Sequence, residues 1–519
     1  MTATLMHHLL DDAAAEHPDA VAVARAGSEP AGGPAQLTYA ELAAAGGRIA
    51  GWLARRGVRR GDRVLLVLPN DPLVLALAYG CSRIGAVFSI LNDQTVILTH
   101  YLDDAEPALV VVTDPHRAAA ATGERGIALA GLAEVADVAL GRAGVPGELP
   151  GPPLAVDPVC LIYTSGSTGM PKAVVTTHAQ LVFAATAIQS RLDYRPTDVV
   201  YCPLPLSFDY GMYQFLLTPQ AGARLQLGRP GDAGPTLLRS LADCGATVLP
   251  AVPSLAAGLA RLLSRPTAAR PPLRLLTNTG AAMQPEVLRE LRARIPGLQV
   301  QLMFGLTECK RATIMGKDDD LSRPGACGQA LPGTEVFTVD AAGHRQPPGE
   351  VGEIVVRGPN VMAGYWRRPE LTEQRFPRAD GLFPQLRTGD HGWLDDDGYL
   401  YFVGRRDDLY KEHGTRISVT EVEAAAHRVP GVEAAAVLPP SAGDYGATLC
   451  AVSQLGPEQV LVALRTELDD LKAPRVCHIV PEIPLSANGK VDRAGLAALI
   501  GAQPPAPAAG AEERARAGR

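Results

Sequence analysis

Short aliphatic runs alternate with stretches of helical period through the first three-quarters of the chain. Arg63-Val-Leu-Leu-Val-Leu-Pro, Ala108-Leu-Val-Val-Val-Thr, Val159-Cys-Leu-Ile-Tyr and Leu273-Arg-Leu-Leu-Thr are too short and too continuously apolar for amphipathic helices. Each predicts a buried strand, and the alternation predicts a layered α/β domain. The longest apolar stretch, Val74 to Leu91, is broken by Arg83 and glycines. It predicts a buried helix followed by a strand, and not a membrane span.

Near residue 404 the pattern changes. The run Tyr399-Leu-Tyr-Phe-Val gives way to the charged Gly404-Arg-Arg-Asp-Asp408, and a smaller α/β module follows. Thr420 and Glu423 have capping-box spacing, Pro430-Gly431 should stop that helix, and Val432 to Leu438 reads as a strand. A helix over Gln459 to Leu471 and a strand over Val476 to Val480 come next. The expected division is a large domain over 1–404, a small one over 405–500, and a Pro/Ala-rich disordered tail over 501–519. Gly144 to Pro153, rich in Pro and Gly, reads as a surface loop or a linker.

Composition narrows the chemistry. A length of 519 residues exceeds what one core usually serves, and 47% hydrophobic with 20% charged residues is ordinary for globular protein. A formal charge of −7 disfavours a nucleic-acid partner held by bulk electrostatics. The eight cysteines contain no C-x-x-C pair, so neither a zinc site nor a disulfide framework is signalled. With no basic, apolar leader at Met1, the expected location is the cytoplasm, away from any membrane.

The strongest chemical signal is Tyr163-Thr-Ser-Gly-Ser-Thr-Gly-Met-Pro-Lys172. Thr164, Ser165, Ser167 and Thr168 offer hydroxyl donors, Gly166 and Gly169 let backbone N–H groups approach phosphate oxygens, and Lys172 brings charge. The spacing fits neither the Walker loop nor a dinucleotide fingerprint. A flexible Gly/Ser linker would look similar.

This loop resembles the phosphate loop of the acyl-adenylate-forming superfamily of acyl-CoA synthetases, peptide-synthetase adenylation domains and luciferases. Further segments resemble that family's motifs in its order: Leu37-Thr-Tyr-Ala-Glu-Leu42, Phe304-Gly-Leu-Thr-Glu308, Arg387-Thr-Gly-Asp390, Gly404-Arg-Arg-Asp407 and Asn488-Gly-Lys490. The resemblance implies a large layered α/β domain with a small mobile α/β lid. It also implies ATP and Mg2+ as cofactors and a phosphopantetheine thiol, on a carrier protein or coenzyme A, as acceptor.

Residue by residue, the resemblance implies that Glu308 holds the metal with Thr307 beside the phosphates, that Phe304 stacks on adenine, and that Gly280 belongs to the nucleotide site. Asp390 would contact ribose and Arg405 ribose or phosphate, Asp407 would be the hinge, and Lys490 would neutralise charge on departing pyrophosphate during adenylation. A rotation at the hinge would then exchange Lys490 for a thioester-forming face near Gly414. The stretch Asp407-Asp-Leu-Tyr-Lys-Glu-His-Gly414 departs from the more basic and apolar sequence of many relatives.

The acid pocket is announced by Ser207-Phe-Asp-Tyr-Gly-Met-Tyr-Gln214. Phe-Asp stands where amino-acid adenylation domains place the aspartate that pairs with the substrate ammonium. At ~4 Å and an effective dielectric near ~20 such a pair interacts by roughly 4 kcal/mol before desolvation. Alternatively, Asp209 caps a helix starting near Tyr210. Tyr210 and Tyr213 are candidate pocket residues, and Gly211 would reshape it. Arg311, beside Lys310, could grip a second substrate carboxylate. The whole constellation is most similar to free-standing enzymes that load β-amino or small amino acids onto carrier proteins in polyketide macrolactam pathways, within nonribosomal and antibiotic biosynthesis. The alternative is an AMP-forming acyl-CoA ligase for a non-amino acid. No carrier attachment loop follows residue 500, so the acceptor is expected on a separate molecule.

Overall fold

The computed structural model describes residues 3–25, 33–93, 95, 97–143, 149, 151–164, 171–229, 232, 234–265, 270–379, 383–405, 409–412, 415–440, 446–468, 472–485 and 491–501. The chain forms two compact units. Among the described residues, the first comprises those within 3–164, 171–336 and 356–387, and the second those within 337–355 and 388–501. Compactness thus divides the chain at Arg387/Thr388 and draws 337–355 into the second unit, whereas the change of sequence pattern lies at 404/405.

The predicted buried runs are the strands of the first unit. A seven-stranded sheet runs in the order Gly364–Tyr365, Lys172–Thr177, Pro158–Thr164, Val87–Leu91, Arg63–Val67, Leu109–Val112, Ala128–Gly131. Its Val87–Leu91, Arg63–Val67, Leu109–Val112 and Ala128–Gly131 strands are mutually parallel, and Lys172–Thr177 folds back antiparallel on Pro158–Thr164. A nine-stranded sheet carries the parallel strands Gln299–Phe304, Leu275–Asn278, Val248–Ala251, Val199–Cys202, Arg224–Leu227 and Val21–Arg25 at its centre. One hydrophobic cluster draws Val64, Phe88 and Val159 from the first sheet, Val200, Leu225 and Leu275 from the second, and Leu42, Ile49, Leu77 and Ile188 from helices. Runs apolar at every position are what such two-sided burial requires.

Local chemistry sets the helix ends. Thr38 caps helix Tyr39–Arg55 by accepting from the Glu41 amide at 3.2 Å while Glu41 accepts from the Thr38 amide at 2.8 Å. Helix Pro72–Ile84 starts with the Asp71 cap and a proline in its first turn and stops at Gly85 in the left-handed region, φ 70°. It contains the first part of the apolar stretch from Val74, and strand Val87–Leu91 contains the rest.

In the second unit, strands Val432–Leu438, Thr448–Ser453 and Val476–Ile479 form a sheet beside helices Val419–Arg428 and Pro457–Glu467. The Thr420/Glu423 capping box does not form. The helix begins one residue before Thr420, and the Glu423 carboxylate accepts from the Val437 amide at 2.9 Å, so it ties helix to strand. The tail from 502 onward lies outside the described residues.

Candidate active site

In open α/β sheets ligands gather beyond the carboxyl ends of parallel strands. Three such ends in the first unit carry the predicted acid-pocket and metal residues. Strand Val199–Cys202 leads to the short helix Asp209–Met212, Leu275–Asn278 to Thr279 and Gly280, and Gln299–Phe304 to the turn bearing Thr307, Glu308, Lys310 and Arg311. The turn closes tightly: a Cβ on Gly305 would stand 2.1 Å from the Lys310 carbonyl oxygen. Lys310 itself adopts φ 62°, a left-handed conformation costly for a non-glycine residue. Gly280 also has positive φ, 93°, which explains glycine there.

Asp209 does not cap its helix. Its Oδ2 instead accepts from Arg311 Nη1 at 3.2 Å, with Asp209 5% and Arg311 3% exposed. The Arg311 guanidinium lies over the Tyr210 ring at 4.8 Å, and the Tyr210 hydroxyl is 2.7 Å from Thr277 Oγ1. Lys310, wholly buried, donates to the Thr307 carbonyl at 2.9 Å and stands 5.7 Å from the Tyr213 ring centre. Burial pushes the Lys310 ammonium pKa down, opposed by the charge of Asp209. Tyr210 and Tyr213 are thus both buried, each behind a cation. Gly211 is required by close packing, because a Cβ there would meet the Pro205 carbonyl oxygen at 2.3 Å.

The strands flanking the phosphate loop meet in register at Tyr163↔Ala173 and Thr164↔Lys172. Ser165, Gly166, Ser167, Thr168 and Gly169 lie outside the described residues. Thr164 Oγ1 is buried with no hydrogen-bond partner among the described residues, a donor suited to a phosphate oxygen. Lys172 Nζ sits 4.1 Å from the centre of the Tyr365 ring, and the Tyr365 hydroxyl donates to Glu308 Oε1 at 2.6 Å. A lysine, an orphaned hydroxyl and a buried carboxylate are a donor set that fits a metal-bound polyphosphate. Phe304, at the end of its strand, is buried.

The predicted ribose pair lies in the second unit. Asp390 is buried in strand Phe383–Leu394 and stands opposite Arg405 in the antiparallel register with strand Leu400–Arg405. Asp407 and Lys490 lie outside the described residues.

Sequence reasoning missed Tyr365 and Asn360. Asn360 Nδ2 donates to the carbonyls of Cys309 at 3.2 Å and Arg311 at 3.0 Å. Neither residue type carries a signal of a partner some fifty positions upstream.

Comparison with known proteins agrees with this geometry. Residues 10–366 match the AMP-binding enzyme family and 421–490 the AMP-binding enzyme C-terminal domain. A feruloyl-CoA synthase from Amycolatopsis sp is 32% identical over 474 residues, covering 88% of this chain and 93% of that protein. CymA of Salinispora arenicola, a probable non-canonical nonribosomal peptide synthetase, is 34% identical over 507 residues, 93% of this chain but 6% of that protein. Among solved structures, VinN in complex with L-aspartate is 38% identical with TM-score 0.69, covering 77% of this chain and 98% of that one. The o-succinylbenzoate coenzyme A synthetase of Bacillus subtilis, with ATP and magnesium ion, is 25% identical with TM-score 0.78, covering 93% and 98%.

The chain belongs to the AMP-binding enzyme family, within the acyl-adenylate-forming superfamily. It is an AMP-forming ligase with a large N-terminal and a small C-terminal domain, and it uses ATP and Mg2+. No helix among the described residues is long and apolar enough to cross a membrane.

Proposed function

We propose that the acid is an amino acid of the aspartate class and that its acyl group passes to the phosphopantetheine of a separate carrier protein. The observation that carries this reading is the buried Asp209–Arg311 pair. Side by side, a carboxylate and a guanidinium complement an ammonium and a second carboxylate on one small molecule. In an aspartate-type substrate, an amine α to one carboxylate is β to the other. Reaction at the distal carboxylate makes a β-amino acyl group with the α-carboxylate against Arg311, so the β-amino and acidic readings become one. The likeness to VinN, solved with L-aspartate, supports the substrate class, and the likeness to one segment of a peptide synthetase supports a carrier acceptor. A place in macrolactam or other natural-product assembly follows from the same reading.

Adenylation joins a substrate carboxylate oxygen to the α-phosphorus of ATP while the bond to the bridging oxygen breaks, and pyrophosphate leaves with the electron pair. The thiol then adds to the acyl carbon, its proton passes to a solvent base, and AMP leaves with the C–O pair. In this reading Thr164, the loop through Gly169 and Lys172 hold the phosphates, and Phe304, Gly280, Asp390 and Arg405 hold the nucleoside. Glu308, beside Thr307, would hold Mg2+, which supplies charge neutralisation at the phosphates. Lys490 serves the first half-reaction, and Asp407 is the hinge between the halves. Tyr210 and Tyr213 act from behind, steadying the cations that meet the substrate.

Pyrophosphate exchange across L-aspartate, β-alanine, succinate and ferulate tests the reading. L-Aspartate should be fastest, β-alanine slower for want of the second carboxylate, and succinate slower for want of the amine. Fastest exchange with ferulate or succinate would favour the other reading, an acyl-CoA ligase for a non-amino acid, which the likeness to feruloyl-CoA synthase supports.

A further inference from the structure

The segment from Asn360 to Trp366 is stitched to two other parts of the first unit. On one side, the Ala363 amide donates to the Val175 carbonyl at 3.1 Å, the Trp366 amide to the Ala173 carbonyl at 2.9 Å, and Gly364–Tyr365 pairs with the Lys172–Thr177 strand. On the other, Asn360 holds the Cys309 and Arg311 carbonyls, and the Met362 amide donates to the Glu308 carbonyl at 2.9 Å. Tyr365 completes both sets of contacts with its side chain. Its ring faces Lys172 Nζ and its hydroxyl is bonded to the Glu308 carboxylate.

We propose that Tyr365 is a positioning residue for the adenylation step, fixing the Glu308 carboxylate for the metal with its hydroxyl and the Lys172 ammonium for the phosphates with its ring. The proposal rests on the reading of Glu308 and Lys172 as metal and phosphate residues. The hydrogen bond to Oε1 pins one carboxylate oxygen, which fixes the rotamer and turns Oε2 to a single direction. The ring gives the lysine a weakly attractive seat and does not neutralise its charge. Tyr365 is itself held by burial and by an edge contact with Phe376, ring centres 5.5 Å apart.

Its two contacts separate by substitution. Tyr365→Phe removes the hydroxyl and keeps the ring, while Tyr365→Leu removes both. ATP binding by calorimetry, without acid substrate, is measured across Mg2+ concentrations and again with EDTA, with Glu308→Gln as reference. Losing a hydrogen bond to a charged group is expected to raise the Mg2+ concentration for half-maximal enhancement of ATP binding about tenfold in Tyr365→Phe, leaving metal-free ATP binding at the wild-type value. Tyr365→Leu should in addition weaken metal-free ATP binding several-fold. If Glu308→Gln shifts the Mg2+ dependence and Tyr365→Phe does not, the proposal is overturned while the metal reading of Glu308 stands. If Glu308→Gln leaves the dependence unchanged, the metal reading falls and the proposal with it. Should Tyr365→Leu fail to fold, Tyr365→Phe, which keeps the packing, decides the role of the hydroxyl.

Discussion

Arg311 donates through Nη1 to Oδ2 of Asp209 across 3.2 Å, and both side chains are sealed from solvent. This ion pair joins two distant motifs, one after strand Val199–Cys202 and the other after strand Gln299–Phe304, which also meet where Arg311 lies over Tyr210 and Lys310 faces Tyr213. Neither charge is tolerable there alone.

Asp209→Asn is therefore expected to cost stability as well as activity. Removing one charge of a buried pair leaves the other uncompensated, with a penalty of about 3 kcal/mol or more. Urea unfolding should show this loss. The double variant Asp209→Asn, Arg311→Met should recover part of it without recovering exchange with L-aspartate. Unchanged stability in Asp209→Asn would mean that Arg311 finds another partner.

Arg311→Lys keeps a positive charge but loses the planar fork that can meet Asp209 and a substrate carboxylate together. Exchange with L-aspartate should fall by ~10-fold or more, mainly through KM, while β-alanine is affected far less. Equal loss with both acids would place Arg311 outside substrate recognition.

Lys490→Ala should slow adenylate formation by ~10²-fold or more while a presynthesised adenylate is still transferred to thiol, because only the first half-reaction develops charge on pyrophosphate. Single-turnover assays of each half measure this. Equal loss in both halves would assign the residue to folding.

Gly211→Ala should destabilise the first unit by ~1–3 kcal/mol, since the added methyl group would meet backbone oxygens of Pro205 and Leu204 at 2.3 and 3.0 Å. A thermal unfolding curve matching wild type would show that the turn from Leu204 to Asp209 can yield.

Acid should weaken the fold through two buried histidines. Burial pushes the His178 pKa down from 6.5 to about 4, against the pull of Asp157, and that of His7 to about 3 by burial and then by Arg83. His178 Nδ1 accepts from the Met6 amide at 3.1 Å, and His7 Nδ1 lies 2.9 Å from Ser82 Oγ. Below pH 6.5 the unfolded chain takes up protons that the folded chain refuses, so stability is lost as pH falls toward 4 and, for His7, further. The slope is ~1.4 kcal/mol per pH unit for each histidine. His178→Gln, still able to accept from the Met6 amide, should flatten the urea midpoint between pH 7 and about pH 5. An unaltered slope would assign the acid sensitivity to other groups.

Much of this molecule was determined by local sequence. The buried strands Arg63–Val67, Leu109–Val112 and Pro158–Thr164 were legible because a strand covered on both faces must be apolar at every position, and Val432–Leu438 because turn formers bound it. The glycine- and hydroxyl-rich loop and the motifs around Glu308 and Asp390 made the family legible because they stand in its order along the chain. Tertiary structure alone decided the rest. Glu423 has capping spacing, yet it serves Val437, because a neighbouring strand offers an amide where the helix end does not. Asp209 could equally have capped its helix until Arg311, brought from 102 positions away, supplied a buried opposite charge. Tyr365 had no motif to announce it, and its role arises only because strand pairing lays it between Lys172 and Glu308. Periodicity and spacing record what a residue needs from its neighbours in the chain. A long-range partner is chosen by which strand ends the sheets bring together, and that leaves no local trace.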